Sequence, residues 1–303
     1  MSTALILAIA LLLDAALGEP KWLWDRIPHP AVVMGRAVGL LDRTLNTGRL
    51  GIPAGLLTLA VLMFGAYVIG TALAFLGGVA QVIIVAILLA QRSLVQHVAA
   101  VADGLRVSLG DGRSAVAMIV SRDTAAMDQS AIARSAIESA AENLSDGVIA
   151  PAFWFLVGGL PAMMVYKVVN TADSMIAYRT PKYEKFGKAA AYMDDAMNLI
   201  PARLTCLLIA IPAGVIGQWR AIGRDARLHR SPNAGWPEAA MARAIGVALA
   251  GPRAYDGAMQ EFPWVGAAGA RTIGSDEIDA ALGRLWQAWG IMLGLTTLLT
   301  LFG

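Results

Sequence analysis

Apolar residues fall into blocks separated by polar stretches, and the block lengths predict membrane helices. A crossing needs about 20 predominantly apolar residues, with a range of about 17 to 25. Residues 2–17 are slightly short for one, and residues 52–90 are too long. The pair Gly77-Gly78 divides the long block into segments 52–76 and 78–91. Residues 147–166, GVIAPAFWFLVGGLPAMMVY, have the length but contain Pro151, Gly158, Gly159 and Pro161. Residues 199–219 carry Pro201 and Pro212, and residues 285–302 form an uninterrupted last segment. Backbone N–H and C=O groups have no water partners inside a bilayer, so every crossing must be helical. The pattern predicts an all-α, polytopic integral membrane protein. It has five or six membrane segments, one of them a candidate for re-entry, within a single membrane-embedded domain spanning residues 1–303.

Four polar stretches join these blocks: 18–51, 91–146, 167–198 and 220–284. Positive residues normally mark the cytoplasmic loops. Here the stretches carry 5, 5, 5 and 8 Lys plus Arg, so no side stands out. Either the loop cations serve anionic ligands, or one segment does not fully cross. Segment 147–166 is the one to suspect, because broken helices are tolerated where they line a cavity. Stretch 91–146 has apolar residues recurring at three and four, which predicts amphipathic helix. Gly110-Asp111-Gly112 reads as a turn within it, and Asp123-Thr124 or Asp128 as a cap for the next helix.

Composition agrees with the membrane reading. The 303 residues are 57% hydrophobic and 15% charged, with a mean hydropathy of +0.60. A soluble domain carries about 25% charged residues. A net charge of +2 without a basic cluster excludes a nucleic-acid partner. The single cysteine, Cys206, allows no internal disulfide and reads as core filler. No Lys or Arg precedes Lys21, so the N-terminal apolar block lacks the basic start of a signal peptide and is expected to stay as a first helix.

Polar side chains gather at the edges of the apolar blocks. In SAIESAAENLSDGVIAP, Glu138 and Glu142 are four apart and share a helix face, with Asn143 and Asp146 following. Like charges at that spacing destabilise a helix unless a cation sits between them, and Mg²⁺ takes carboxylate ligands. The alternative is a solvated helix end with incidental acids. In YKVVNTADSMIAY, Lys167, Asn170, Ser174 and Tyr178 form a polar stripe with Asp173 beside it. Snorkelling accounts for a Lys just past an apolar run but not for Asn170 and Asp173 further on. In MDDAMNLIPAR, Asp194, Asp195 and Asn198 stand before Pro201, and Arg203 lies five residues into an apolar block. The acids fit helix capping, a metal or an amine; an Arg at membrane depth marks a functional candidate. The stretch LDAALGEPKWLWDRIPHPAVVMGR holds Asp14, Glu19, His29 and Arg36, although a lone His is usually no ligand. Finally, Arg224, Arg227, His229 and Arg230 precede the turn-rich SPNAGWP, which contains Asn233, and could grip phosphate or carboxylate groups. Phosphate-binding glycine loops, zinc spacings and a serine nucleophile elbow are all absent from the sequence.

Taken together, LDAALGEP…HPAVVMGR, SRDTAAMDQSAIARSAIESAAENLSDGVIAPAFW, YKVVNTADSMIAYRTPKYEKFGKAAAYMDDAMNLIPARL and HRSPNAGWPEAAMARAIGVALAGP resemble the CobD/CbiB family, the adenosylcobinamide-phosphate synthases of cobalamin biosynthesis. The matching stretches keep their order from about residue 13 to residue 252. The resemblance implies a multi-pass enzyme of the bacterial inner membrane. It would join the carboxylate of adenosylcobyric acid to the amine of aminopropanol phosphate, or of aminopropanol, with ATP and Mg²⁺. Expected partners are these small molecules and the lipid bilayer; other membrane enzymes of the pathway and a second copy of the chain stay open.

The family supplies no residue roles, so these follow from the chemistry. Glu138, Glu142 and Asp146 are expected around Mg²⁺. Lys167, Asp194 and Asp195 are the expected catalytic groups, with one of the aspartates taking the proton of the attacking amine. His29, Arg36, Arg122, Asn143, Asn170, Asp173, Ser174, Arg203 and Asn233 are expected to hold substrate or phosphate. The rival class is a transporter, or a corrinoid-binding membrane protein without ligase activity. It predicts charges inside the spans, whereas most of these residues sit in loops or at span ends.

Overall fold

The computed structural model describes residues 1–48, 50–120, 123–255 and 258–302. In chain order the helices are α1 (Thr3–Leu17), α2 (Lys21–Trp24), α3 (Pro30–Leu45), α4 (Ile52–Ala74), α5 (Gly78–Leu88), α6 (Gln91–Val107), α7 (Leu109–Val116) and α8 (Gln129–Leu144). A π-helical turn, Ser145–Ile149, carries α8 into α9 (Ala150–Ile176). Then come α10 (Lys188–Ala210), α11 (Trp219–Ala226), α12 (Gly235–Ile245) and, after four short strands, α13 (Ser275–Leu299). The strands form two antiparallel pairs: β1 (Leu249–Ala250) with β4 (Trp264–Val265), and β2 (Arg253–Tyr255) with β3 (Ala258–Gln260). No sequence signal marks these strand pairs.

Among the described residues, three helical stretches are long and apolar enough to cross a membrane: Ile52–Ala74, Gly78–Val107 and Gln129–Ile176. Thr3–Leu17 is apolar but shorter. The all-α membrane architecture is therefore as the hydropathy pattern predicts. Some boundaries differ. The segment expected at 147–166 is the middle of a longer helix, because the amphipathic α8 runs through the π turn without a break. The segment expected at 199–219 is not one helix: α10 ends at Ala210, and Pro212 falls in the turn that follows. Proline has no N–H to give and disfavours helix at the residue before it. Gly110-Asp111-Gly112 is not a turn but lies inside α7, capped by Ser108 Oγ, which accepts from Asp111 N at 3.0 Å. Glycine serves close packing here instead. A Cβ on Gly112 would lie 2.6 Å from the Leu105 side chain, and one on Gly104 would lie 2.9 Å from Asp111 O.

The chain divides into two compact units. The first contains Met1–Ala90, Ala150–Asn198 and the chain from Leu295. In it α4 packs on α9, and Thr58, Leu59, Leu62, Ala66 and Gly70 are among the residues α4 buries. Its outer face keeps Leu57, Phe64, Val68 and Ile69 exposed, as suits a helix against lipid. A Cβ on Gly70 would lie 2.7 Å from Pro161 Cα, so only glycine admits this approach. Helix α9 is broken at Gly158 (φ −143°, ψ 23°) and Gly159 (φ 64°, ψ −161°), within the segment suspected of a break from its Pro and Gly residues. Helix α10 carries Pro201 in its middle, which cannot donate to Met197 O. Trp154 Nε1 takes that carbonyl instead, at 3.1 Å.

The second unit contains Gln91–Ile149 and Leu199–Gly294. Helix α8 is its centre, with Ile132, Ala133, Ala136, Ile137, Ala140 and Ala141 buried against α6, α7 and α12. Asp128 starts α8: its Oδ1 accepts from Ala131 N at 2.7 Å, as expected of an N-cap.

Candidate functional site

In the first unit, α9 and α10 meet through a ladder of polar side chains spaced four apart on each helix. Tyr166 Oη donates to Asn198 Oδ1 at 3.0 Å. Asn198 Nδ2 donates to Asp194 Oδ2 at 3.0 Å, and Asn170 Nδ2 donates to Asp194 Oδ1 at 3.2 Å. Tyr166, Asp194 and Asn198 are buried, and Asn170 is half-buried. Burial pushes the Asp194 carboxyl above the usual carboxylate range. The two amide bonds oppose that shift, and the neighbouring Asp195 adds to it. A buried acid held on both oxygens, with its proton affinity raised, is chemically suited to accept a proton.

Of the other residues expected in this unit, Lys167 and Asp173 lie half-buried on α9. Ser174 is exposed and donates to Asn170 O at 3.0 Å. His29 caps α3, its Nδ1 accepting from Ala31 N at 3.2 Å, with Trp24 edge-on at 4.5 Å. Burial lowers the His29 pKa. Arg36 is exposed on α3.

In the second unit, Glu138 lies on α8 and is 2% exposed, deep enough to demand a partner. Its Oε1 accepts from Ala250 N at 2.6 Å and from Arg253 Nη2 at 3.0 Å. Ala250 has φ 59°, the one positive φ of a non-glycine among the described residues. The backbone of β1 is thus held in a strained conformation where its N–H meets the carboxylate. These groups border a cavity of about 320 Å³ that Arg134, Ser135, Met127 and Trp264 also line. The guanidiniums of Arg134 and Arg271 lie 5.3 and 4.7 Å from the Trp264 ring centroid.

Glu138, Glu142 and Asp146 do not come together as a three-acid cage. Glu138 is engaged by Arg253, Glu142 is exposed, and the π turn begins between Glu142 and Asp146. Among the described residues no group of three or more His, Cys, Asp or Glu is placed to hold a metal. The donor set therefore does not fit a magnesium ion caged by protein alone. Asn143 donates to Ser139 O at 2.9 Å. Arg122 lies outside the described residues. Arg203 and Asn233 are brought together across 30 residues of sequence, Nη1 to Oδ1 at 2.5 Å.

Arg134, Arg253 and Trp264 are not among the residues expected from the sequence. Arg134 was within reach, being four residues before Glu138 on the same helix face. Arg253 arrives from 115 residues away on a short hairpin strand, and nothing local announces it.

A sequence model of the family described as CobD/Cbib protein matches residues 7–285 of this chain. The Cobalamin biosynthesis protein CobD of Brucella suis biovar 1 (strain 1330) is 47% identical over 321 residues, covering 99% of this chain and 97% of its own. That of Rhizobium meliloti (strain 1021) is 48% identical, covering 95% and 94%. That of Rhodobacter capsulatus is 46% identical, covering 88% and 87%. No solved structure matches the chain.

Proposed function

The chain belongs to the CobD/Cbib protein family, and from that premise we propose that it is the membrane ligase that completes the corrinoid side chain in cobalamin biosynthesis. The reaction is amide formation between the free carboxylate of adenosylcobyric acid and the amine of aminopropanol phosphate or aminopropanol, driven by ATP in a bacterial inner membrane. The observation that carries the reading is the match over residues 7–285, with relatives named for cobalamin biosynthesis at 46–48% identity across most of both chains.

A carboxylate and an amine do not condense in water unless the carboxylate is activated. Attack of a carboxylate oxygen on the γ-phosphorus gives an acyl phosphate and ADP. The amine nitrogen then attacks the acyl carbon, phosphate leaves, and the nitrogen loses a proton. Asp194 is the residue for that proton, being buried, held on both oxygens and raised in pKa. Lys167 supplies a point charge for phosphate oxygens, and Asn170 sets the aspartate and orients substrate. Asp195, Asp173 and Ser174 are proposed as further polar contacts, with His29 and Arg36 as substrate contacts. Mg²⁺ is proposed to arrive on the nucleotide with most of its water rather than in a full protein cage.

The test is turnover by the full chain in nanodiscs. Adenosylcobyric acid, aminopropanol phosphate, ATP and Mg²⁺ are supplied, and the amide is sought by mass spectrometry. Product that requires both protein and ATP is expected. Folded protein that binds the corrinoid and makes none would overturn the ligase reading in favour of a carrier.

A further inference from the structure

Within the second unit, a cavity of about 430 Å³ lies where the segment after α11 turns into α12. It is lined by Arg203, Arg227, His229, Arg230, Ser231 and Trp236, and no carboxylate is among its described walls. It shares no residue with the cavity beside Glu138. We infer that this basic cavity is a binding site for the phosphoryl group of a small phosphate ester.

Arg203 is held by neutral groups, and among the described residues none of the three guanidiniums is paired with a carboxylate. Arg203 Nη1 donates to Leu199 O at 2.9 Å and to Asn233 Oδ1 at 2.5 Å, and Nη2 donates to Pro232 O at 3.1 Å. Its guanidinium lies 5.0 Å from the Trp236 ring centroid. Arg230 lies 5.0 Å from the Phe262 ring centroid, and Arg227 is exposed without an ion pair among the described residues. Two acids lie near the cavity without lining it, Asp225 bonded away from it and Glu238 behind the lining residue His229. Asp225 accepts from Arg243 Nη2 at 2.5 Å and from Gly266 N at 2.9 Å. Glu238 Oε1 faces His229 Nε2 at 3.6 Å.

The loop itself is preorganised. His229 Nδ1 accepts from Ser231 N at 3.0 Å, and Ser231 Oγ accepts from Asn233 N at 3.2 Å and Ala234 N at 3.3 Å. Helix α12 starts at Gly235 without a side-chain cap, which adds a modest positive field. Planar forks suit a tetrahedral dianion, because a guanidinium can give two parallel N–H bonds; Arg203 already gives three N–H bonds to neutral acceptors, so that role falls to Arg227 and Arg230. The cavity is far larger than a phosphate and falls within the roughly 300–1,000 Å³ of small-molecule pockets, so an organic group fits behind the phosphoryl.

The same chemistry could come from a soluble ester or from a phospholipid headgroup. Naming the soluble ester as aminopropanol phosphate rests on the ligase reading; the phosphoryl site does not.

The experiment uses the full chain in phosphatidylcholine nanodiscs, with inorganic phosphate titrated by calorimetry at constant ionic strength. Saturable binding is expected, displaced by sulfate and not by chloride. The double variant Arg227→Gln/Arg230→Gln alters two exposed side chains and is expected to weaken binding at least tenfold with its melting temperature unchanged. Absence of saturable binding, or equal affinity in the variant, overturns the site. A second set of discs contains phosphatidylglycerol. Tenfold weaker apparent phosphate affinity there, seen in the unmodified chain only, keeps the phosphoryl site but overturns the soluble ester in favour of a lipid headgroup. Equal affinity in both discs supports the soluble ester. Phosphate binding without turnover keeps the site and removes the ligase reading. Turnover with phosphate affinity indifferent to the double variant does the reverse.

Discussion

Asn170 and Asp194 are joined by a hydrogen bond of 3.2 Å that ties α9 to α10, and it ends on the oxygen that Asn198 leaves free. The carboxylate is thereby fixed in orientation while burial keeps its pKa high. If Asp194 is the proton acceptor, Asp194→Asn lowers kcat by about 10²–10⁴-fold, the usual contribution of a positioned base. The unmodified enzyme gains rate as pH rises through the raised pKa, and that limb disappears in the variant. Stability moves the opposite way. Between the ordinary carboxylate pKa and the raised one, the folded state holds a proton that the unfolded state has lost, so stability falls as pH rises. Melting temperatures across that window should decline in the unmodified chain relative to Asp194→Asn.

Two glycines in the first unit sit against backbone carbonyls that cannot rotate away. A Cβ on Gly55 would lie 1.9 Å from Phe186 O, and one on Gly187 would lie 1.7 Å from Ile176 O. Gly55→Ala and Gly187→Ala should each cost about 3 kcal/mol, the upper part of the range for overpacking. Gly65, on the same helix as Gly55, faces open space: a Cβ there would meet nothing within 4 Å. Gly65→Ala should leave stability unchanged or raise it by up to about 1 kcal/mol from helix propensity. Thermal melting in one detergent separates the three.

Much of this architecture is written locally. Long apolar runs announce the membrane helices, and Gly158-Gly159 with Pro161 announce the break in α9. Asp194, Asn170 and Asn198 stand out as polar residues at block edges, because spacing within one helix is local information. Their pairing is not legible in the sequence, since it depends on how α9 and α10 pack. The same limit hides Arg253: its partner Glu138 is visible, while the hairpin that delivers the guanidinium carries no strand pattern. The carboxylates therefore read as a metal cage, when one of them is the anchor of an ion pair. The continuous junction of α8 with α9 is hidden for a related reason: a π turn at Ser145–Ile149 has no compositional signature, and Gly147 suggests an end instead.

The pairing of Glu138 with Arg253 makes its own prediction. Both side chains are sequestered, at 3% and 14% exposure, so removing one leaves the other charge without that partner. Glu138→Ala should destabilise the chain by about 3–5 kcal/mol. Arg253→Met alone should also be costly, and the double variant Glu138→Ala/Arg253→Met should cost less than the sum of the two. Glu138→Gln keeps an acceptor for Ala250 N and should fall between Glu138→Ala and the unmodified chain. A double-mutant cycle on denaturation free energies measures the coupling; additive effects would mean the pair contributes nothing of its own.

Asp42 provides the opposite pH signature to Asp194. It is 8% exposed on α3, and burial alone would push its carboxyl up. Hydrogen bonds from Lys182 Nζ at 2.7 Å, Asn46 Nδ2 at 2.9 Å and Tyr183 Oη at 3.1 Å outweigh that and hold it below the usual carboxylate range. An acid with a lowered folded-state pKa contributes stability that is complete above its unfolded pKa, about 3.9, and is lost as pH falls through the folded value. The melting-temperature gap between the unmodified chain and Asp42→Asn should stay constant from neutral pH to the carboxylate range and close below it. Lys182→Met removes the donor that counts most among the three, so its gap from Asp42→Asn should begin to close at a higher pH. Lys182 is itself exposed, and at neutral pH its loss should change stability little. A gap that widened on acidification would show that Asp42 is not ionised against Lys182, and the tie between α3 and the segment before α10 would have to rest on its neutral hydrogen bonds alone.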